Sequence, residues 1–207
     1  AKFMDWTEEE REATTAEFCL TQLLPHLQAL NLEHRHSFGV DFARSADLSV
    51  YAVCAVQPDT ARHIDITLEI KNCPYNQQKQ IMLFMLQNTP RLIGAAFDAT
   101  GNGGYLAEAA LIRYGAMMID CVKLSDNWYR EWMPKYKALY ESGYIEIPRD
   151  EEIILDHGHI QVINGVPKID KSRSKDKSGK RHGDSAVAYC MAVRASYMTG
   201  GEIDFIP

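Results

Sequence analysis

Between residues 36 and 71 three strand-like runs follow one another with only short turns between them, and from residue 74 onward helices and strands alternate. That order constrains the fold more than any other feature of the chain. The runs cover 36–43, 48–57 and 62–71, with Pro58 and Asp59 forming the second turn. In the third, Ile64, Ile66, Leu68 and Ile70 alternate with polar residues, the period of a strand with one apolar face. Strands joined this closely pair antiparallel, because a parallel partner needs a long crossover.

Pro74 suits the first turn of a helix, which the sequence extends to about Asn88. The run 92–98 is almost wholly apolar, as a central strand buried on both faces requires. A helix over about 103–114 ends at Gly115, and a fifth strand covers 116–122. Ser125 caps an aromatic-rich helical region that reaches Glu141, is kinked or restarted at Pro134, and is stopped by Gly143. Asn164-Gly165 between Ile160–Ile163 and Val166–Ile169 predicts a hairpin, and a last helix is expected from about Gly183 to Met198. Ahead of all this, residues 5–32 read as helix. Thr7 and Glu10 form a capping box, Phe18, Leu20, Leu23, Leu24, Leu27 and Leu30 make an apolar stripe, and Pro25 divides it. The expectation is an α/β fold, a mixed sheet of three antiparallel strands followed by alternating helices and strands and flanked by helices. A helical arm (1–34), a domain (35–200) and a tail (201–207) complete it.

Length and composition agree with one such domain: 207 residues, 46% hydrophobic and 24% charged. No apolar run approaches the ~18–20 residues of a membrane span. Residues 1–11 are charged rather than signal-like, so an intracellular protein without a membrane partner is expected. The five cysteines have no close pair and predict reduced thiols, not a disulfide framework or a zinc site.

A net charge of −6 argues against a protein coated in basic surface. One stretch runs the other way. Lys168, Lys171, Arg173, Lys175, Lys177, Lys180 and Arg181 face only Asp170 and Asp176, with Ser172, Ser174, Ser178 and Gly179 between them. This composition predicts a loop, either a solvated connector or a basic flap that meets phosphates.

Three aspartates carry the chemistry. Asp41 sits in Phe-Gly-Val-Asp-Phe, Asp98 ends Leu-Ile-Gly-Ala-Ala-Phe-Asp, and Asp184 lies in Arg-His-Gly-Asp-Ser-Ala where the last helix begins. Alone, each is as well explained as a turn former or helix cap. Two carboxylates at strand ends with a third on a late helix suit a divalent-metal nuclease, because hard cations prefer oxygen ligands and two ions can serve both oxygens of a phosphodiester. Asp47, in the first turn, is a turn residue or a water-mediated contact to such a site. His182 is a loop histidine or an auxiliary group for the phosphate or attacking water. The loop Gly101-Asn102-Gly103-Gly104 permits close backbone approach, and no nucleotide-binding Gly-x-x-x-x-Gly-Lys-Ser/Thr pattern occurs. Asp156-His157-Gly158-His159 resembles a metal site only superficially, and Trp128, Tyr129, Trp132, Tyr136 and Tyr140 have the spacing of a helix core face.

The order of elements resembles an RNase H-like domain, which implies that the first and fourth strands are neighbours and that Asp41 and Asp98 lie side by side. The segments Phe38–Ala43, Phe97–Glu108 and Arg181–Ala188, with Asn72–Gln80 and Trp128–Pro134, resemble the C-terminal nuclease domain of tailed-phage terminase large subunits of the Mu-like phage and prophage type. The resemblance covers roughly residues 36–198. It implies a metal-dependent endonuclease with two Mg²⁺ or Mn²⁺ ions held by Asp41, Asp98 and Asp184, cutting double-stranded DNA during head packaging in the host bacterial cytoplasm. Lys171, Arg173, Lys175, Lys177, Lys180 and Arg181 are the expected DNA contacts. Implied partners are DNA, the portal, the small terminase subunit and an upstream packaging ATPase domain not found in this chain, with 5–32 as the former connection. The alternatives are a resolvase- or transposase-like nuclease of the same fold, and a noncatalytic domain that docks DNA or the portal.

Overall fold

The computed structural model describes residues 2–43, 48–169 and 183–198. Strands β1 (Arg35–Asp41), β2 (Leu48–Val56) and β3 (Arg62–Lys71) form the antiparallel meander expected, with β4 (Leu92–Asp98) parallel to β1 and β5 (Ile119–Val122) parallel to β4. A two-residue β6 (Ile145–Glu146) adds to the far edge, giving the order β5-β4-β1-β2-β3-β6.

The two faces of this sheet carry different helices, and the period-two rule assigns each strand residue to one of them. Phe38, Val40, Tyr51, Val53, Ala95 and Phe97 share one core with the arm, α3 (Tyr75–Asn88) and α4 (Gly104–Tyr114). The arm consists of α1 (Glu8–Phe18), a π-helical turn (Cys19–Leu23) and α2 (Leu24–Gln28). Its Cys19, Leu23, Leu27 and Leu30 belong to the same cluster as Ile81, Met82, Met85 and Leu86, so the arm is part of the main core. Val50, Ala52 and Cys54 face the other way, onto α5 (Asp126–Glu141) and α7 (Asp184–Ala195).

Three local readings change. Pro25 does not divide the arm: the Leu24 N–H bonds to the Cys19 carbonyl, and this widened turn makes room for the proline ring where a regular turn would clash. Helix α5 runs through Pro134 without restarting. Pro134 and Arg130, whose carbonyl loses its partner, are both on the exposed face, where water can replace the bond. In β3 the pairing slips between Val53 and Cys54, whose partners are Ile66 and Ile64. The extra residue, Asp65, is a β-bulge that turns Ile64 into the α5 core while Ile66, Leu68 and Ile70 stay with α3.

Two elements had no signal in the sequence, β6 and α6 (Glu151–His157). The short helix is capped by Asp150, whose Oδ1 accepts from Glu152 N (2.8 Å) and Ile153 N (3.2 Å). His157 anchors it. Its Nδ1 lies 2.7 Å from the Ile153 carbonyl, to which it must donate, and its Nε2 lies 2.8 Å from the Tyr136 hydroxyl, from which it accepts when the ring is neutral. Burial holds this imidazole below its ordinary 6.5. The unfolded chain therefore takes up the proton first, and the stability tied to the neutral ring is complete above about pH 6.5 and declines as pH falls below it. Thermal melts between about pH 7.5 and 5 should show this decline, and His157→Phe should melt lower at neutral pH but with a shallower pH slope.

Candidate active site

Asp41 is the last residue of β1 and Asp98 the last of β4. The parallel register pairs Val40 with Phe97, so the next residues, Asp41 and Asp98, stand side by side on strands about 5 Å apart. Phe38 and Val40 point into the α3 core, and so do Ala95 and Phe97. Alternation sends Asp41 and Asp98 to the opposite face, the one covered by α7. Asp98 is 8% exposed, and its Oδ1 accepts from Thr100 N at 2.8 Å, which fixes the carboxylate as the chain turns toward α4. Gly103 is required in that turn, since a methyl group there would overlap the Asp98 carbonyl oxygen. Close packing, rather than a ligand, accounts for this glycine.

Helix α7 crosses the same face antiparallel to β1 and β4. The Ser37 hydroxyl donates to the Ala192 carbonyl at 2.8 Å, Gly39 lies directly against Ala188 and Ala192, and Gly94 lies against Ala195 and Met198. From Gly39 to Asp41 the strand advances roughly 7 Å. From the middle of the turn that Gly39 touches to Asp184 the helix advances roughly 9 Å the same way. Asp184, the half-buried first residue of α7, therefore ends at the sheet edge that carries Asp41 and Asp98. Val187, one turn further, packs with Ala96 and Val122 of β4 and β5.

Tyr129 of α5 lies within electrostatic range of Asp41 and Asp98. It is buried, and its hydroxyl is pushed well above the ordinary tyrosine range, first by burial and then by the charges of Asp41 and Asp98. The phenol thus senses both carboxylates. Its spacing with Trp132 and Tyr136 marks it as a core residue, which it is, and nothing in the sequence reveals the second neighbourhood.

Among the described residues no three His, Cys, Asp or Glu side chains form a ready-made metal cage. The Asp156-His157-Gly158-His159 motif does not make one either: His157 is committed to Tyr136 and Tyr140, and Asp156 turns toward α7. Asp47, Lys171, Arg173, Lys175, Lys177, Lys180, Arg181 and His182 lie outside the described residues. No helix among the described residues is long and apolar enough to cross a membrane.

No family model matches the chain. It is 88% identical over 207 residues to the Mu-like prophage FluMu protein gp28 of Haemophilus influenzae, covering 100% of this chain and 41% of that protein. The chain matches a stretch of Mu-like gp28 from end to end. It is also 50% identical over 204 residues to the probable terminase large subunit gp28 of Escherichia phage Mu, covering 98% of this chain and 37% of that protein. The chain thus spans about two fifths of the length of the curated relatives it matches. The magnesium-bound large terminase nuclease of thermophilic phage G20c superposes with a TM-score of 0.59 at 20% identity, over 78% of this chain and 82% of that one. The resemblance to Mu-like gp28 holds, and the fold is the RNase H-like fold of the terminase nucleases.

Proposed function

We propose that the chain is the nuclease part of a phage DNA-packaging terminase, cutting double-stranded DNA with Mg²⁺ or Mn²⁺ held by Asp41, Asp98 and Asp184. One observation carries the reading: Asp41 and Asp98 stand side by side at the edge of β1 and β4, beneath the first turn of α7. The donor set fits the ion. All three groups offer hard carboxylate oxygens, and Mg²⁺ accepts an open site because it keeps several waters and shares its remaining positions with substrate phosphate. The lack of a closed three-residue cage among the described residues is compatible with such an ion. The likeness to gp28 of phage Mu and to a magnesium-bound terminase nuclease supports the same choice.

Bound at this edge, a pair of ions would supply activated water and stabilise the leaving oxygen. The rest of the chemistry falls to the protein. Thr100 N–H fixes the orientation of Asp98, and Tyr129 stays a neutral phenol that closes the α5 side without adding charge. Asp47 and His182 are proposed as auxiliary groups. Lys171, Arg173, Lys175, Lys177, Lys180 and Arg181 would draw the phosphate backbone toward carboxylates that otherwise repel it.

Plasmid nicking across a Mg²⁺ and Mn²⁺ titration tests the reading. Cleavage should need the metal and vanish with chelator. DNA retention without cleavage at any metal concentration would favour a docking domain, and strong preference for four-way junctions over plasmid would favour a resolvase-like nuclease. Binding itself should be weak and indifferent to sequence. The triple variant Lys175→Ala, Lys177→Ala, Lys180→Ala should nick more slowly, with the slope of log affinity against log salt reduced by about 2–3. An unchanged rate and slope would leave this segment as a connector.

A further inference from the structure

Asp156 is fully buried near the end of α6, far in sequence from the acidic edge yet joined to it. Its Oδ1 accepts from Gly183 N at 3.2 Å, and its Oδ2 accepts from Ser185 N at 3.2 Å and from the Ser185 hydroxyl at 2.7 Å. The residue between those two partners is Asp184. Helix α7 has no side-chain cap of its own, because Gly183 occupies the N-cap position in the left-handed region (φ 85°). A side chain there would be strained by that φ whatever space it found, so glycine suits the turn that presents the Gly183 and Ser185 amides to the Asp156 carboxylate.

A serine at the N-cap would have ended α7 locally. A buried carboxylate is a costly substitute, tolerated only when its oxygens are well bonded, and the positive end of α7 adds to the three hydrogen bonds here. What the remote carboxylate adds over a local cap is position. It ties the first turn of α7 to α6, and α6 is fixed by His157, which bonds to Tyr136 of α5 and packs its ring 5.5 Å from that of Tyr189 in α7. We infer that Asp156 is the positioning residue of the site, holding Asp184 toward Asp41 and Asp98 by gripping the residues on either side of it. The inference rests on Asp184 being a metal-holding residue, as proposed above.

The test compares the parent protein with Asp156→Asn, Ser185→Ala and Asp184→Ala. Mn²⁺ affinity is read by electron paramagnetic resonance well below the melting temperature, and nicking is followed against Mn²⁺ concentration. An asparagine at 156 presents an amide N–H₂ to donors that need an acceptor, so the first turn should shift. Asp156→Asn is expected to bind Mn²⁺ roughly 10–100-fold more weakly, the usual effect of losing a residue that orients a metal ligand, with nicking recovered at high Mn²⁺. Parent-like affinity in folded Asp156→Asn overturns the inference whatever its melting temperature. If that variant does not fold, Ser185→Ala decides: it removes one of the three bonds and should weaken Mn²⁺ binding several-fold, and unchanged affinity overturns the inference. Parent-like Mn²⁺ binding and cleavage by Asp184→Ala would instead refute the role of Asp184 itself.

Discussion

Asp98→Asn and Asp41→Asn proteins should fold normally and lose roughly 10³-fold or more of their cleavage rate, equivalent to at least about 4 kcal/mol of barrier. Each substitution keeps the shape of the side chain and removes the charge that would hold a divalent ion. The two carboxylates are neighbours on adjacent parallel strands, and Asp98 is almost buried, so without metal they repel one another. Removing one charge relieves that repulsion, and metal-free melting temperatures should be equal to or higher than that of the parent. Added Mg²⁺ or Mn²⁺ should raise the melting temperature of the parent and leave that of the variants nearly unchanged, because only a state that binds the ion is stabilised by it. Undiminished cleavage in either variant would remove that residue from the site.

Gly39→Ala should have the largest effect on stability of any single methyl addition along β1. A methyl group at that position would overlap the Ala188 carbonyl oxygen and the Ala192 backbone nitrogen, and neither can give way without moving α7 as a whole. Overpacking of this kind costs about 3 kcal/mol or more when the obstacle is backbone rather than a flexible side chain. For a chain of 207 residues that is a drop of roughly 6–12 °C in melting temperature. The same displacement would carry Asp184 away from Asp41, so cleavage should stay low even at temperatures where the variant is fully folded. A variant that melts low but cuts at the parent rate would show that α7 is not what brings the third aspartate to the edge.

Much of this was legible because the informative signals are local. The meander and β4 announce themselves through alternation and apolar runs, and the Asn164-Gly165 turn adopts the positive φ angles that its residues favour (52° and 73°). Asp41 and Asp98 stood out because each follows an apolar run, and their adjacency required only the strand order of the resembled fold. The misses share a cause, since each depends on a contact that leaves no periodic trace. The bulge at Asp65 interrupts an alternation that looks unbroken in the sequence. Helix α6 is too short for periodicity to speak. Asp156 meets Gly183 and Ser185 across more than twenty-five intervening residues, and Tyr129 lies within electrostatic range of the carboxylates while carrying the spacing of an ordinary core residue. Gly39 sits inside a strand pattern that gives no hint of the helix against its back.

The most direct measurement is anomalous diffraction from crystals soaked in Mn²⁺. One or two Mn²⁺ peaks should lie at the carboxyl edge of β1 and β4, within about 2.6 Å of carboxylate oxygens of Asp41 and Asp98 and with Asp184 as a direct or water-bridged ligand. Carboxyl groups of any two of the three lying more than about 10 Å apart, or Mn²⁺ bound elsewhere with this edge empty, would contradict the account, because such short bonds cannot span that distance.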